Sequence, residues 1–182
     1  MGFTWGNGGK RRVPAYHSPP TKRKKSYKKM NIYIASSWKN QANVISLANT
    51  LEYSGGFVVD AFCRPSSPSH KRYAFHWTEF VREEMELLNY DAIDFLADHR
   101  TQRAFKEDKK WLDWADTVIM YMPCGRSSHL EAGYAKGKGK RLYIYGDFLK
   151  GEFEVMYGFA DGLFRTEEQT LLMTELRKVR VD

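Results

Sequence analysis

The sequence predicts a doubly wound α/β domain of the flavodoxin/Rossmann-like kind, with a mostly parallel sheet of four or five strands and helices on both faces. Three observations support this fold class. Strand-like and helix-like segments alternate along the chain. The strand-like segments are short, continuous apolar runs, as expected for strands buried on both faces. The first two, with the helix between them, occupy roughly 30 residues, the length of a crossover between parallel strands.

Length and composition indicate one globular domain without a membrane span. The chain has 182 residues, of which 42% are hydrophobic and 15% aromatic, enough for one sizeable core. It contains no run of about 18 apolar residues, so no transmembrane helix is expected. Its basic start is followed by no apolar stretch, so we expect no secretory signal. With two cysteines, Cys63 and Cys124, we expect a reducing, cytoplasmic setting without disulfides.

Positive charge is concentrated at the start of the chain. The formal net charge is +7, yet residues 1–30 hold nine Lys or Arg and no acid, which leaves 20 basic and 22 acidic residues. We therefore expect residues 1–29 to be a flexible basic arm and residues 30–182 to be the folded domain. The basic run of the arm is a candidate nucleic-acid contact, and a solvated tail explains it equally well. This run is Lys22, Arg23, Lys24 and Lys25.

Apolar spacing and turn residues predict the elements of the domain in order. Strands are predicted at 30–35, 57–62, 117–122 and 141–145, with a short last strand at 162–165. Helices are predicted at about 41–53, 79–89, 95–115, 128–136 and 167–179. A turn at 36–38 follows the first strand, and an aromatic segment at 75–79 follows the loop after the second.

The segment from 116 to 139 is predicted to organise a binding site. It contains a buried strand, a tight loop at 123–127 with Gly125 where the chain must turn sharply, and a helix that starts at Ser128. Ligands of open α/β sheets bind outside the carboxyl ends of the strands. The N–H groups that begin a helix favour an anion such as phosphate there. The predicted anion-binding residues are Gly125, Arg126, Ser127 and Ser128.

Glu131 has two interpretations on spacing alone. Ser128 and Glu131 match a capping box, in which Ser128 is the N-cap and the Glu131 carboxylate returns to its N–H. In the other interpretation Glu131 is a catalytic carboxylate that faces the pocket. The two are not fully exclusive, because Ser128 can cap the helix while Glu131 faces the pocket.

Asp108 is a second candidate carboxylate. It lies four residues from both Ala104 and Leu112, on the apolar stripe of its predicted helix. A carboxylate on a core-facing stripe is costly unless it is paired or lies at the mouth of a pocket. The alternative is an Asp at the edge of the stripe that reaches water or pairs with a nearby Lys.

Two carboxylates, an anion site and aromatic side chains suit the cleavage of an N-glycosidic bond. One carboxylate attacks or stabilises the sugar carbon, and the other protonates the leaving base. Aromatic faces at Trp38 and Trp77 would hold the base. The histidines show no ligand spacing and no CxxC is present, so neither a metal nor a cofactor is expected. P-loop and G-x-S-x-G motifs are absent from the sequence.

The same residues carry a resemblance to a known family. IYIASSW at 32–38, FHWTE at 75–79, Asp108, and PCGRSSHLEAGYA at 123–135 follow one another over about residues 30–165. In this the chain resembles the nucleoside 2-deoxyribosyltransferase-like group, including its small bacterial and phage members. The resemblance implies that Glu131 is a nucleophile that forms a covalent sugar intermediate, and that Asp108 is the general acid/base.

The resemblance also bears on the substrate and the assembly. Related nucleotide N-hydrolases use serines in the loop before the helix to hold a 5′-phosphate, so both nucleosides and nucleoside 5′-monophosphates are candidate substrates, and both transfer and hydrolysis are candidate reactions. Ser36 and Trp38, in the turn after the first strand, and Trp77 complete the predicted substrate contacts. Relatives complete their pockets across subunit contacts, so a homo-oligomer is expected.

Two rival functions stay open at this point. A non-catalytic module that senses a nucleotide would keep its affinity in a Glu131→Gln variant and release no base. A structural interaction protein that works through the arm would lose its function when residues 1–29 are deleted.

Overall fold

The computed structural model describes residues 29–69, 89–151 and 153–179, and these residues form one α/β domain. Its strands are β1 (Met30–Ala35), β2 (Phe57–Ala61), β3 (Thr117–Met122), β4 (Arg141–Gly146) and β5 (Gly162–Phe164). Its helices are α1 (Gln41–Tyr53), α2 (Ala92–Ala97), α3 (His99–Trp114), α4 (Arg126–Gly137) and α5 (Gln169–Val179). Short 3-10 turns lie at Trp38–Asn40, Val155–Phe159 and Thr166–Glu168. None of the described helices is both long and apolar enough to cross a membrane.

The sheet is parallel throughout and has the order β2-β1-β3-β4-β5. This order confirms the predicted doubly wound fold, since it is the strand order of flavodoxin-like sheets. β1 pairs with both β2 and β3, so the winding reverses between β1 and β3. The carboxyl ends of these two strands, at Ala35 and Met122, therefore border the crevice where such sheets bind ligands.

Side chains alternate across the sheet and enter two cores. Ile32 and Ile34 of β1 belong to the core beneath α1 and α5, whereas Tyr33 and Ala35 belong to the core beneath α3 and α4. The apolar stripe predicted for the first helix is buried in the first core, and its members are Val44, Leu47, Ala48 and Leu51. The two cores are called the α1/α5 core and the α3/α4 core below.

Two predicted helix boundaries are wrong. The helix predicted at 95–115 is broken into α2 and α3 by Asp98, which is extended (φ −73°, ψ 133°) and accepts the Arg100 N–H at 2.8 Å as the N-cap of α3. The helix predicted from Ser128 begins two residues earlier, with Gly125 as its N-cap and no side-chain cap. Ser128 lies inside the first turn, so the predicted capping box with Glu131 does not form.

Several predictions lie outside the described residues. They concern the arm up to residue 28, including Lys22, Arg23, Lys24 and Lys25, the aromatic segment with Trp77, and the helix at 79–88. They stay predictions.

Candidate active site

Glu131 and Tyr33 meet in the α3/α4 core. Glu131 projects from α4 and is partly buried, and the Tyr33 phenol of β1, whose residue is 2% exposed, donates a hydrogen bond to its carboxylate. Burial, and then the charge of Asp108, raise the pKa of Glu131 to about 8, while the bond from Tyr33 acts in the opposite direction. Tyr33 therefore favours the ionised form of Glu131 in surroundings that otherwise disfavour it.

Asp108 of α3 is the second carboxyl group of the candidate site, and its charge acts on both Tyr33 and Glu131. Burial, and then the charges of Asp60 and Glu107, raise the pKa of Asp108 to about 6. Its own charge acts on Glu131, so the two carboxyls titrate as a coupled pair that holds one proton between about pH 6 and pH 8. The higher pKa of Glu131 places this proton mainly on Glu131 in the free protein. A carboxylic acid beside a carboxylate at neutral pH can supply both a proton donor and a nucleophile or base.

A third carboxyl, that of Asp60, was not singled out from the sequence. Asp60 lies in β2 opposite Tyr33 in the parallel register, so both side chains point to the α3/α4 face. It is 0% exposed, and its Oδ1 accepts the Ser69 N–H at 2.8 Å. Its Oδ2 is buried without a hydrogen-bond partner among the described residues. In those residues no three His, Cys, Asp or Glu side chains form a group that could hold a metal ion.

Hydrogen bonds tie the end of β1 to the end of β3 at this edge. The Ser36 hydroxyl donates to the Tyr121 carbonyl at 3.0 Å and accepts from Asn40 Nδ2 at 3.2 Å. Asn40 Nδ2 also donates to the Pro123 carbonyl at 2.5 Å. Ser36 thus holds in place the loop that leads into α4, and its predicted contact with substrate stays a prediction.

The start of α4 carries the predicted anion-binding residues. Gly125 is extended (φ −90°, ψ −178°), and a Cβ added there would meet nothing within 4 Å. Its conformation does not require glycine, so the predicted sharp turn is not the reason for this residue. Arg126 and Ser127 are exposed, whereas Ser128 is 3% exposed and its hydroxyl hydrogen-bonds the Cys124 thiol. The loop therefore turns Ser127 outward and Ser128 inward.

His129 fixes this loop from the other side. Its Nδ1 lies 2.8 Å from the Gly125 carbonyl oxygen, which can only accept, so Nδ1 carries the proton and donates. Its Nε2 then accepts from the Tyr157 hydroxyl at 2.9 Å. The rings of His129 and Tyr157 stack at 5.7 Å. This contact joins the 3-10 turn at Val155–Phe159 to the start of α4, a role that the residue spacing did not reveal.

Trp38 lies on the other side of the sheet from Glu131. It packs against the α1/α5 core, with its ring edge-on to Phe62 at 4.9 Å between centroids. The structure therefore does not bring the indole together with the carboxyl pair, and a stacking role for Trp38 stays a prediction.

Comparison with known proteins finds similarity among solved structures only. No family model matches the chain, and no curated protein matches it in sequence. Among solved structures, the CMP N-glycosidase BcmB of Clostridium botulinum is similar over 81% of this chain and 98% of its own, with a TM-score of 0.43 and 12% sequence identity.

Proposed function

We propose that this protein is an enzyme that cleaves the N-glycosidic bond of a nucleoside, a deoxynucleoside or a nucleoside 5′-monophosphate and passes the sugar to water or to another base. The observation that carries the proposal is the carboxyl pair of Glu131 and Asp108, which shares one proton near neutral pH. Glycosidic cleavage needs two carboxyl groups in these two states. The resemblance of the sequence to the nucleoside 2-deoxyribosyltransferase-like group also supports the proposal.

As substrate binds, the proton of the pair passes from Glu131 to Asp108. In the first step, the Glu131 carboxylate attacks C1′ of the sugar and forms an ester. The bond between C1′ and the base nitrogen breaks, and its electron pair stays on the base, which takes the proton of Asp108. The hydrogen bond from Tyr33 to Glu131 supports this step, because it stabilises the carboxylate that attacks.

In the second step, the Asp108 carboxylate takes a proton from water or from an incoming base, which attacks C1′ and breaks the ester. Glu131 leaves as a carboxylate, and Asp108 is protonated again. Two displacements at one carbon give net retention of the sugar configuration. Hydrolysis and transfer differ only in the acceptor of the second step.

The start of α4 supports a phosphate contact in this proposal. Its first turn has no side-chain cap, so its N–H groups can serve an anion. The exposed Arg126 and Ser127 are placed to add charge and a hydroxyl donor. Ser128, which is buried beside Cys124, shapes the loop in this account and does not contact the phosphate.

The test is chromatography of reaction mixtures. Ribo- and deoxyribonucleosides, their 5′-monophosphates and NAD are each incubated with wild type and with Glu131→Gln, with and without a second free base. We expect wild type to release base and Glu131→Gln to lose at least about a thousandfold of the rate, as for loss of a nucleophile. Melting temperatures of both proteins control for folding.

The pattern of products identifies the reaction. Base released from monophosphates alone supports hydrolysis and the phosphate contact at α4. Base exchange on free nucleosides supports transfer, and release of nicotinamide moves the substrate to the NAD class. If no substrate loses its base while nucleotides still bind, the enzyme proposal is wrong and the nucleotide-sensing module replaces it.

A further inference from the structure

A cavity of about 180 Å³ lies between α1, the carboxyl ends of β3 and β4, and the start of α5. Its walls include Tyr121 of β3 and Tyr145 of β4, which both belong to the α1/α5 core. The neighbours of Tyr121 in β3, Met120 and Met122, belong to the α3/α4 core instead. The cavity therefore lies on the face of the sheet opposite to the carboxyl pair and is separate from that site.

The lining of the cavity is polar but uncharged. Apart from Leu47 and the two tyrosines, its lining side chains carry an amide or a hydroxyl, and they are Asn43, Ser46, Thr166 and Gln169. Amides and hydroxyls can both donate and accept hydrogen bonds. Among the described residues, no Lys, Arg, Asp or Glu lines the cavity. The lining therefore suits an uncharged ligand that carries both donors and acceptors.

The Tyr121 hydroxyl is a buried polar group that the protein leaves without a partner at this cavity. Tyr121 is 5% exposed, and its hydroxyl makes no hydrogen bond among the described residues. The Tyr145 hydroxyl, in contrast, donates to the Thr166 carbonyl at 3.1 Å. The two tyrosine rings meet edge-on, with 5.4 Å between their centroids. Because a buried hydroxyl without a partner is costly, a ligand that hydrogen-bonds to Tyr121 would be stabilised.

Asp147 makes the surroundings of the cavity negative. It follows β4 and accepts a hydrogen bond from the Thr166 hydroxyl. Burial, and then the charge of Asp147, raise the pKa of Tyr121 above its ordinary value. Burial, and after it the charges of neighbours that include Asp147, raise the pKa of Tyr145 to about 12. Both phenols therefore keep their protons at neutral pH, and an anion such as phosphate is disfavoured here.

We propose that this cavity is a second binding site, which takes a free nucleobase. A cavity of about 150 Å³ is enough to hold benzene, so the volume of about 180 Å³ fits one ring with polar substituents. A nucleobase is planar and uncharged, and its edge carries neighbouring donors and acceptors that the amides of Asn43 and Gln169 can match. Aromatic walls support such a ring. The site goes beyond the proposed function and does not depend on it, because binding needs no turnover.

NMR of the full chain shows where a base binds. Adenine, cytosine and uracil are each titrated into wild type, and the side-chain signals of four lining residues are followed, namely Asn43, Gln169, Tyr121 and Tyr145. We expect at least one base to shift these signals along a single saturation curve. The absence of any such shift with all three bases overturns the proposal. Shifts confined to Glu131 and its neighbours overturn it as well.

Ser46→Leu and Thr50→Leu form a matched pair of variants. Both positions are exposed and carry a hydroxyl on α1, one turn apart, but only Ser46 lines the cavity. Because a leucine at position 46 would occupy space that the base needs, we expect Ser46→Leu to weaken base binding at least about tenfold. Thr50→Leu should leave the affinity within about twofold of wild type. Equal affinities of Ser46→Leu and wild type overturn the proposed site.

Tyr121→Phe tests the unpartnered hydroxyl. The variant keeps the ring that packs against Tyr145 and removes only the hydroxyl, so we expect the affinity for the base to fall about threefold to tenfold. Melting temperatures of this variant and of the matched pair control for folding. An affinity that is unchanged in Tyr121→Phe overturns the contact between the base and Tyr121.

Other probes test the chemical class of the ligand. Toluene has the size of one ring without hydrogen-bonding groups, inorganic phosphate has charge without a ring, and a nucleoside is a base that carries a sugar. At a concentration where the free base saturates the cavity, we expect none of the three to shift the signals of its lining. Toluene or phosphate binding as tightly as the base overturns the uncharged polar ligand. A nucleoside that binds there as tightly as its base overturns the free base.

Glu131→Gln separates this site from the proposed active site. Because the cavity lies on the opposite face of the sheet, we expect Glu131→Gln to bind the base there with the wild-type affinity. A loss of this binding in Glu131→Gln overturns the separate site. Base binding in the cavity of a protein that cleaves no nucleoside or nucleotide overturns the proposed function and leaves the second site established.

Discussion

At the scale of single residues, the site depends on how one proton is divided between Glu131 and Asp108. Each is carried by its own helix, and burial raises the pKa of both. Substrate sets the division in the proposed reaction, because a developing positive charge at C1′ favours the Glu131 carboxylate and a leaving base nitrogen favours the Asp108 acid. The hydrogen bond from Tyr33 lowers the pKa of Glu131 and the charge of Asp60 raises the pKa of Asp108, so both act in the direction of this division.

We predict a bell-shaped pH dependence of kcat for base release. The active form carries one proton on the pair, so the rate should rise as the first proton is lost near pH 6 and fall as the second is lost near pH 8. Initial rates between pH 4.5 and pH 9.5 measure this, with the melting temperature followed at each pH as a control. A rate that does not fall above pH 8 would show that no acid of this pair is needed.

Two of these four residues were singled out from the sequence. Asp108 stands out because it is a carboxylate on the apolar stripe of its predicted helix. Glu131 stands out because it lies in the first turn of a predicted helix that follows a buried strand. Tyr33 and Asp60 lie in apolar strand runs, and in a strand buried on both faces the local pattern does not tell which face a side chain takes. Only the pairing of β1 with β2 places both on the face of the carboxyl pair. An acid inside an apolar strand was the available signal for Asp60.

At the scale of elements, the strands were predictable from continuous apolar runs and most helices from the spacing of their apolar residues. The helix starts were not predictable in this way. Asp98 and Ser128 are both good N-cap residues. Asp98 caps α3 and breaks the predicted long helix, whereas Ser128 lies inside α4 with its hydroxyl hydrogen-bonded to the Cys124 thiol. Whether such a residue caps a helix depends on tertiary contacts that its own segment does not contain.

Gly146 is a position where both the backbone conformation and the available space require glycine. It ends β4 with φ +135°, and a Cβ there would overlap the carbonyl of Met122 at the end of β3. We predict that Gly146→Ala lowers the free energy of unfolding by at least about 2 kcal/mol. Urea denaturation of wild type and of the variant measures this difference in the free energy of unfolding.

Gly137→Ala is the matched control for Gly146→Ala. Gly137 is the last residue of α4, and a Cβ there would meet nothing within 4 Å. The change should be neutral or stabilising by less than about 1 kcal/mol. Equal effects of the two substitutions would contradict the packing described for the carboxyl ends of β3 and β4.

At the scale of the whole molecule, the doubly wound topology was predictable because parallel crossovers allow few alternatives. Met30 is the first residue of the described core, and nine basic residues precede it in the sequence. The homo-oligomer and the nucleic-acid contact stay predictions, since both concern partners of the single chain.

We predict that deletion of residues 1–28 leaves the melting temperature and the rate of base release unchanged and weakens binding to a labelled oligonucleotide. Arm binding is electrostatic, so its affinity should fall steeply with salt in the full chain. Fluorescence anisotropy at several salt concentrations measures it. A full-length variant with Gln at Lys22, Arg23, Lys24 and Lys25 should reproduce the loss. An arm deletion that abolishes base release would contradict the division into arm and domain.

The central claim is that Glu131 forms a bond to the sugar. The most direct test is mass spectrometry of protein quenched during turnover with the best substrate of the panel, followed by peptide mapping. The account predicts an added mass of the sugar, or of the sugar phosphate, on the peptide that carries Glu131, and none in Glu131→Gln. Base release by wild type without any adduct, or with the adduct on another residue, would contradict the account.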